Sequence, residues 1–382
     1  MGAEVTVRRV KIEPFEMERW QSLHENSVEL NLSDSGVHPL SLQELLELFN
    51  DGEAHEDLLS QSLEYTQTNG TPALRQRIAD LYPGALPENV EVTTGGVEAN
   101  CVAAWTLVEP GDEVVAMVPN YGQLPGLVRG LGATLVPWEL RPDWEAGRWT
   151  LDLDELARIV GPRTRMILLC NPNNPTGAIV EEEVLEGVLA VAARHGAWVL
   201  ADEIYAGSEL DGSTTPSIWG RGERVIVTNS LSKAYGLPGL RLGWLVASQE
   251  AVDAFWTRHD YMTIGPSALS DQLAERALRP ENRARLLART HDWLTGNLEL
   301  VRAWLAARPG LAYIPPQAGA MAWIRCQEGV NSAALVDQLR TEHSLLLVSG
   351  EHFGQPGWLR IGFGATPTRL EKGLARLGQA LD

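Results

Sequence analysis

The chain has 382 residues, 44% of them hydrophobic and 21% charged, with a formal net charge of −19. This length suffices for two domains and a large core, and the acidic balance excludes the basic footprint that a nucleic-acid or anionic-membrane surface needs. No apolar run approaches a membrane span, the start MGAEVTVRRVKIEPFEMERW lacks the apolar run of a secretory signal, and Cys101, Cys170 and Cys326 show no CxxC spacing; the reading is a cytoplasmic protein with buried thiols and no metal site.

In chain order, residues 1–45 read as extended and irregular, packed against the C-terminal part. Short apolar runs at 113–118, 133–138, 166–170, 198–201, 225–228 and 242–247 have the length and β-branched content of buried strands. Segments 97–108, 122–131, 153–160 and 181–195 between them read as helices. This alternation predicts an α/β layer with a mostly parallel sheet. Residues 267–307 read as long helices; strands at 320–326 and 358–363, mixed with helices near 332–342 and 367–380, predict a smaller α+β domain. The expected division is a large domain over 47–287 and a small one over 1–46 with 288–382.

Four strand ends carry polar or glycine-rich turns, where open α/β sheets bind ligands. VTTGGVEAN (Val92–Asn100) sets Gly95 and Gly96 before a helix, offering bare N–H groups to an anion or simply a tight turn. CNPNNPTG (Cys170–Gly177) fixes a rigid turn that displays amide side chains. LADEIY (Leu200–Tyr205) runs an apolar strand into Asp202, an acid that wants a cation when buried. SLSKAYGLPGLRLGW (Ser230–Trp244) places Ser230, Ser232 and Arg241 as a phosphate clamp beside Lys233. The chain holds three lysines against 28 arginines, and Lys233 alone lies mid-chain. An amine can lose its proton and attack a carbonyl to form a Schiff base; a guanidinium cannot.

Together these features describe a pyridoxal 5'-phosphate pocket. In the NNPTG turn, the D-x-x-Y step and the S-x-S-K-x(7)-R element, residues 30–365 resemble a class I/II aminotransferase of the fold-type-I pyridoxal-phosphate enzymes. The resemblance implies the Schiff base and the proton shift at Lys233, and Asp202 protonating the pyridine nitrogen. It implies Asn174 and Tyr205 as donors to the phenolic oxygen, with Tyr121, in VPNY, on the ring face. Ser230, Arg241 and the backbone of Gly96 and Val97 would form the phosphate cup, with Ser232 as an extra contact. Tyr65, in YTQTNG, would reach a neighbouring subunit's phosphate, implying a homodimer with shared sites. Arg360, in WLRIGF, would grip the α-carboxylate of an amino-acid substrate, and Gly36, in SDSGVH, would let backbone approach it. Burial and nearby positive charge are expected to lower the pKa of Lys233.

The resemblance implies an aminotransferase first. SDSGVH (33–38) together with SLSKAYGLPGLRLGW is similar to capreomycidine synthases, and GLPGLR to 1-aminocyclopropane-1-carboxylate synthases, so a lyase, cyclase or γ-replacement enzyme of specialised metabolism is the alternative. No second arginine suits a dicarboxylate side chain. Arg258 and His259 read as contacts across a dimer or as a charged helix end. A pyridoxal-phosphate-sensing transcription regulator is disfavoured by the acidic charge and the lack of a helix-turn-helix pattern.

Overall fold

The computed structural model describes residues 12–52 and 54–381; Lys11 lies outside them. Seven strands form the main sheet: β1 (Val90–Thr93), β2 (Glu113–Val118), β3 (Thr134–Glu139), β4 (Thr164–Cys170), β5 (Trp198–Asp202), β6 (Val225–Ser230) and β7 (Gly243–Val246). Their order is β1-β7-β6-β5-β4-β2-β3, and only β7 runs antiparallel to its neighbours. The predicted strands all form, each displaced by at most two residues at an end.

Unbroken apolar runs suit these strands because both faces are covered. Ile167, Leu169, Val199, Ala201, Val225 and Val227 enter one core, while Met166, Leu168, Leu200 and Ile226 enter the core on the opposite face. Period-two alternation divides one continuous run between two cores.

A second sheet, β8 (Ala312–Tyr313), β9 (Met321–Arg325), β10 (Val348–Ser349) and β11 (Trp358–Gly362), is antiparallel in the order β8-β9-β11-β10. Its core takes Leu30, Leu32 and Val37 from the N-terminal segment. The 27-residue helix Pro280–Ala306 serves both cores: Leu286 packs in the first, and Leu294, Leu298 and Val301 in the other.

The N-terminal segment is not irregular throughout. Helix α1 (Glu16–His24) and a second helix over Leu42–Phe49 form within it. The second has a complete Ser41–Glu44 capping box. α1 is anchored by buried Met17, packed with Trp323, Val348 and Phe353, and by Trp20 Nε1 donating to the Leu347 carbonyl at 3.0 Å. No described helix is long and apolar enough to cross a membrane. All three cysteines are free; Cys170 and Cys326 are buried, and Cys101 is partly so.

Candidate active site

The carboxyl ends of β1, β2, β4, β5 and β6 open on one cavity of about 310 Å³. Its lining includes Gly96, Val97, Tyr121, Asn174, Asp202, Tyr205, Ser232, Lys233, Arg241 and Arg360. The main sheet and, through Arg360 on β11, the small sheet thus gather residues that lie up to 264 positions apart in sequence. Ser230, fully buried at the end of β6, stands just behind, its Oγ accepting the Ser232 N–H at 3.1 Å. Gly36 borders the same space, where an added Cβ would lie 3.5 Å from Lys233 Cδ. Tyr65 is not brought in: its side chain is 91% exposed, and it does not line the cavity of its own chain.

The turn after β1 is built from close approaches. Gly95 has φ +84°, and a Cβ there would come within 2.7 Å of Arg241 Nη2; one at Gly243 would lie 2.4 Å from the Gly96 nitrogen. Only glycine permits this packing. Helix α2 (Gly96–Leu107) starts at the turn, and the N–H groups of Gly96 and Val97 have no partner among the described residues. Free N–H groups, the positive end of the helix and the Arg241 guanidinium together make a receptor for a dianion.

Asp202 ends β5 facing the cavity. Its carboxylate accepts Asn100 Nδ2 at 2.9 Å and the Ile204 N–H at 3.1 Å. Asn100 is oriented in turn by Thr228, whose hydroxyl donates to it at 2.7 Å. Burial pushes Asp202 up to about 6, against the opposing pull of the Asn100 and Ile204 hydrogen bonds and the Lys233 charge. It is an acid held in place and short of a cation.

Lys233 Nζ lies 3.3 Å from Asp34 Oδ1. Burial pulls Lys233 down, yet the Asp34 carboxylate, by its charge and its hydrogen bond, carries it above the ordinary lysine value. The expected lowering is therefore overturned, because a carboxylate from SDSGVH reaches the amine. Arg360 lowers Lys233 as foreseen but is outweighed. Tyr205 donates its hydroxyl to Ser35 Oγ at 2.8 Å. The Tyr121 hydroxyl donates to Glu18 on α1 at 2.7 Å, and its ring meets Phe15 edge-on, with centroids 4.9 Å apart.

Arg360 is 1% exposed and makes no ion pair among the described residues. Nη1 donates to Asn174 Oδ1 at 2.9 Å and Nη2 to the Ser33 carbonyl at 2.6 Å, while Nε has no partner. With its oxygen so engaged, Asn174 keeps its amide N–H₂ for the cavity.

His259 does stand at a helix end, closing Gln249–His259, but inside the protein rather than on its surface. It is fully buried, with Nδ1 3.0 Å from Glu91 and Nε2 3.2 Å from Glu98. Glu98 also accepts the Thr94 N–H at 2.5 Å, which braces the glycine turn from behind. Burial lowers His259, but the two carboxylates outweigh it and raise it to about 9; Glu98 is held near 2 although burial acts to raise it. A raised histidine contributes stability in full below its unfolded pKa and loses it as pH climbs through the folded one. The unfolding free energy from urea titration is therefore expected to fall between pH 6.5 and about 9, by on the order of 3 kcal/mol. His259→Gln should flatten that slope; equal slopes in both proteins would contradict the assignment.

With this geometry in view, relatives are informative. The family model for aminotransferase class I and II matches residues 30–377. Capreomycidine synthase of Streptomyces vinaceus is 33% identical over 368 residues, covering 96% of this chain and 93% of the relative. Arginine–pyruvate transaminase AruH of Pseudomonas aeruginosa is 29% identical, covering 83% and 82%. Among solved structures, a PLP-dependent aminotransferase from Streptococcus suis superposes with a TM-score of 0.91 at 33% identity, covering 97% of this chain and 98% of that one. The PLP-dependent cyclase OrfR superposes with a TM-score of 0.88 at 28% identity, covering 98% and 99%. The chain belongs to the class I and II aminotransferases and has the fold-type-I architecture of that family.

Proposed function

We propose that the protein is a pyridoxal 5'-phosphate enzyme acting at Cα of an α-amino acid through Lys233, and that its reaction is transamination. The observation that carries this reading is the convergence of one amine, one half-buried acid and one buried guanidinium on a single cavity. The residues fit the cofactor. Asp202 lacks a cationic partner, as suits a protonated ring nitrogen, and the Gly96 and Val97 N–H groups with Arg241 suit a phosphate. Bound there, the cofactor supplies a carbonyl that condenses with amines and a ring that accepts the electron pair left at Cα.

The chain's own residues then divide the work. Asp202, steadied by Asn100, keeps the proton on the ring nitrogen. Asn174 and Tyr205 would donate hydrogen bonds to the cofactor, and Tyr121 would pack beside it. Ser230, Ser232, Arg241 and the two N–H groups take the phosphate. Arg360 holds the substrate carboxylate and Gly36 admits the substrate backbone, so the bond to be broken is aligned. Lys233 would hold and move a proton at the substrate Cα. The exposure of Tyr65, beside exposed Leu59 and Leu63, supports a homodimer in which it serves the neighbouring site. Separate cores at the main sheet and at the small sheet support a division into 47–287 and 1–46 with 288–382, with Leu45 and Met321 crossing into the main-sheet core. A cytoplasmic location and a place in specialised metabolism complete the proposal.

The likeness to capreomycidine synthase and to the cyclase OrfR favours a second reading, a lyase, cyclase or γ-replacement enzyme. Single-turnover mixing of the loaded enzyme with a panel of amino acids, followed by product mass, separates the two. A released keto acid is the expected result. A product that keeps its nitrogen, or loses a γ-substituent, assigns the second reading.

A further inference from the structure

Resting on that reading, we infer that the substrate side chain is cationic, and that α1 supplies the carboxylates that select it. Of the residues lining the cavity, the cations are Lys233, Arg241 and Arg360, each with a role on the cofactor or the α-carboxylate. The remaining charged side chains of the lining are acidic. Glu18 and Glu25 of α1 and its C-terminal cap, with Asp34, line the cavity, and neither glutamate makes an ion pair among the described residues. Gln21 donates its amide to Ser33 at 3.0 Å, which leaves its carbonyl oxygen as a further acceptor.

Arg360 points independently to the other end of the same ligand. It is 1% exposed, lines this cavity, and has an unpartnered Nε. A buried guanidinium without a carboxylate calls for an anion. An α-amino acid with its carboxylate on Arg360 and a cation toward α1 satisfies both ends. Asp34 lines the same cavity, paired with Lys233 and 65% exposed, and a substrate cation can take its charge once Lys233 is engaged elsewhere. Tyr121 fixes Glu18 at 2.7 Å, so this carboxylate is preset. The same wall repels a second carboxylate, which excludes dicarboxylic amino acids by charge.

The test uses the enzyme loaded with pyridoxal 5'-phosphate, titrated with L-arginine, L-lysine, L-citrulline, L-alanine and L-aspartate and read by cofactor absorbance. Citrulline is the neutral counterpart of arginine in nearly the same shape. Arginine or lysine should half-saturate about tenfold below citrulline, as pairing with half-buried Glu18 and with Asp34 together implies. Arginine ahead of lysine makes the preferred group a guanidinium; the reverse makes it an ammonium. Glu18→Gln should shrink the arginine-to-citrulline ratio about fivefold or more. Should that variant fold poorly, Glu25→Gln, on the exposed end of α1, reads the same ratio. Citrulline matching arginine, or a ratio unmoved in both variants, overturns the inference while the proposed function stands. Failure of every amino acid to alter the absorbance overturns the proposed function itself, and this inference with it.

Discussion

Replacing Lys233 by alanine is expected to lower turnover of any amino acid by about 10³-fold or more, because carbonyl capture and proton transfer pass through one amine. The fold should survive. Among the described residues the only hydrogen-bond partner of Lys233 Nζ is Asp34, whose side chain is 65% exposed and can be resolvated. The cofactor absorbance that depends on the lysine linkage should vanish, while the melting temperature moves by a few degrees at most. Turnover within about tenfold of the parent would place the reactive amine elsewhere.

Arg360→Ala should produce the second large effect, and an asymmetric one. A fully desolvated charge pair costs about 2–5 kcal/mol when one partner is removed. At ~1.4 kcal/mol per decade this is roughly 30-fold to several thousandfold in amino-acid affinity. Cofactor affinity should change by less than about tenfold, since Arg360 reaches the proposed cofactor contacts only through Asn174. Arg360→Lys should recover little, because a single ammonium cannot reproduce the planar fork. Equal losses for amino acid and cofactor would remove Arg360 from the carboxylate role.

The main sheet was legible because its strands are covered on both faces, so each appears as an apolar run bounded by polar turns. Their functional ends were legible because an acid, three asparagines or paired glycines at the end of such a run have few structural uses. What escaped depends on partners distant in sequence. Asp34 lies 199 residues from Lys233, and no local pattern shows that it reverses the pKa shift expected there. Asn100 stood in the quoted VTTGGVEAN, one helical turn beyond Gly96, and that spacing on α2 was the available signal for its contact with Asp202. Helix α1 was missed because EMERWQSLH buries only Met17 and has no side-chain cap at Phe15. Its stability comes from packing on the small sheet, not from its own pattern. His259 looked like a surface residue because both carboxylates that bury it come from the far side of the sheet sequence, at positions 91 and 98.

The most direct test of the central claim is chemical trapping. Borohydride reduction of the loaded enzyme turns an imine into a stable amine, and trypsin then releases the segment Val225–Arg241, uncut at a modified Lys233. With only three lysines in the chain, the assignment has few alternatives. The account predicts the mass of the reduced cofactor on Lys233. That mass on Lys11 or Lys372, or on no lysine, would contradict it.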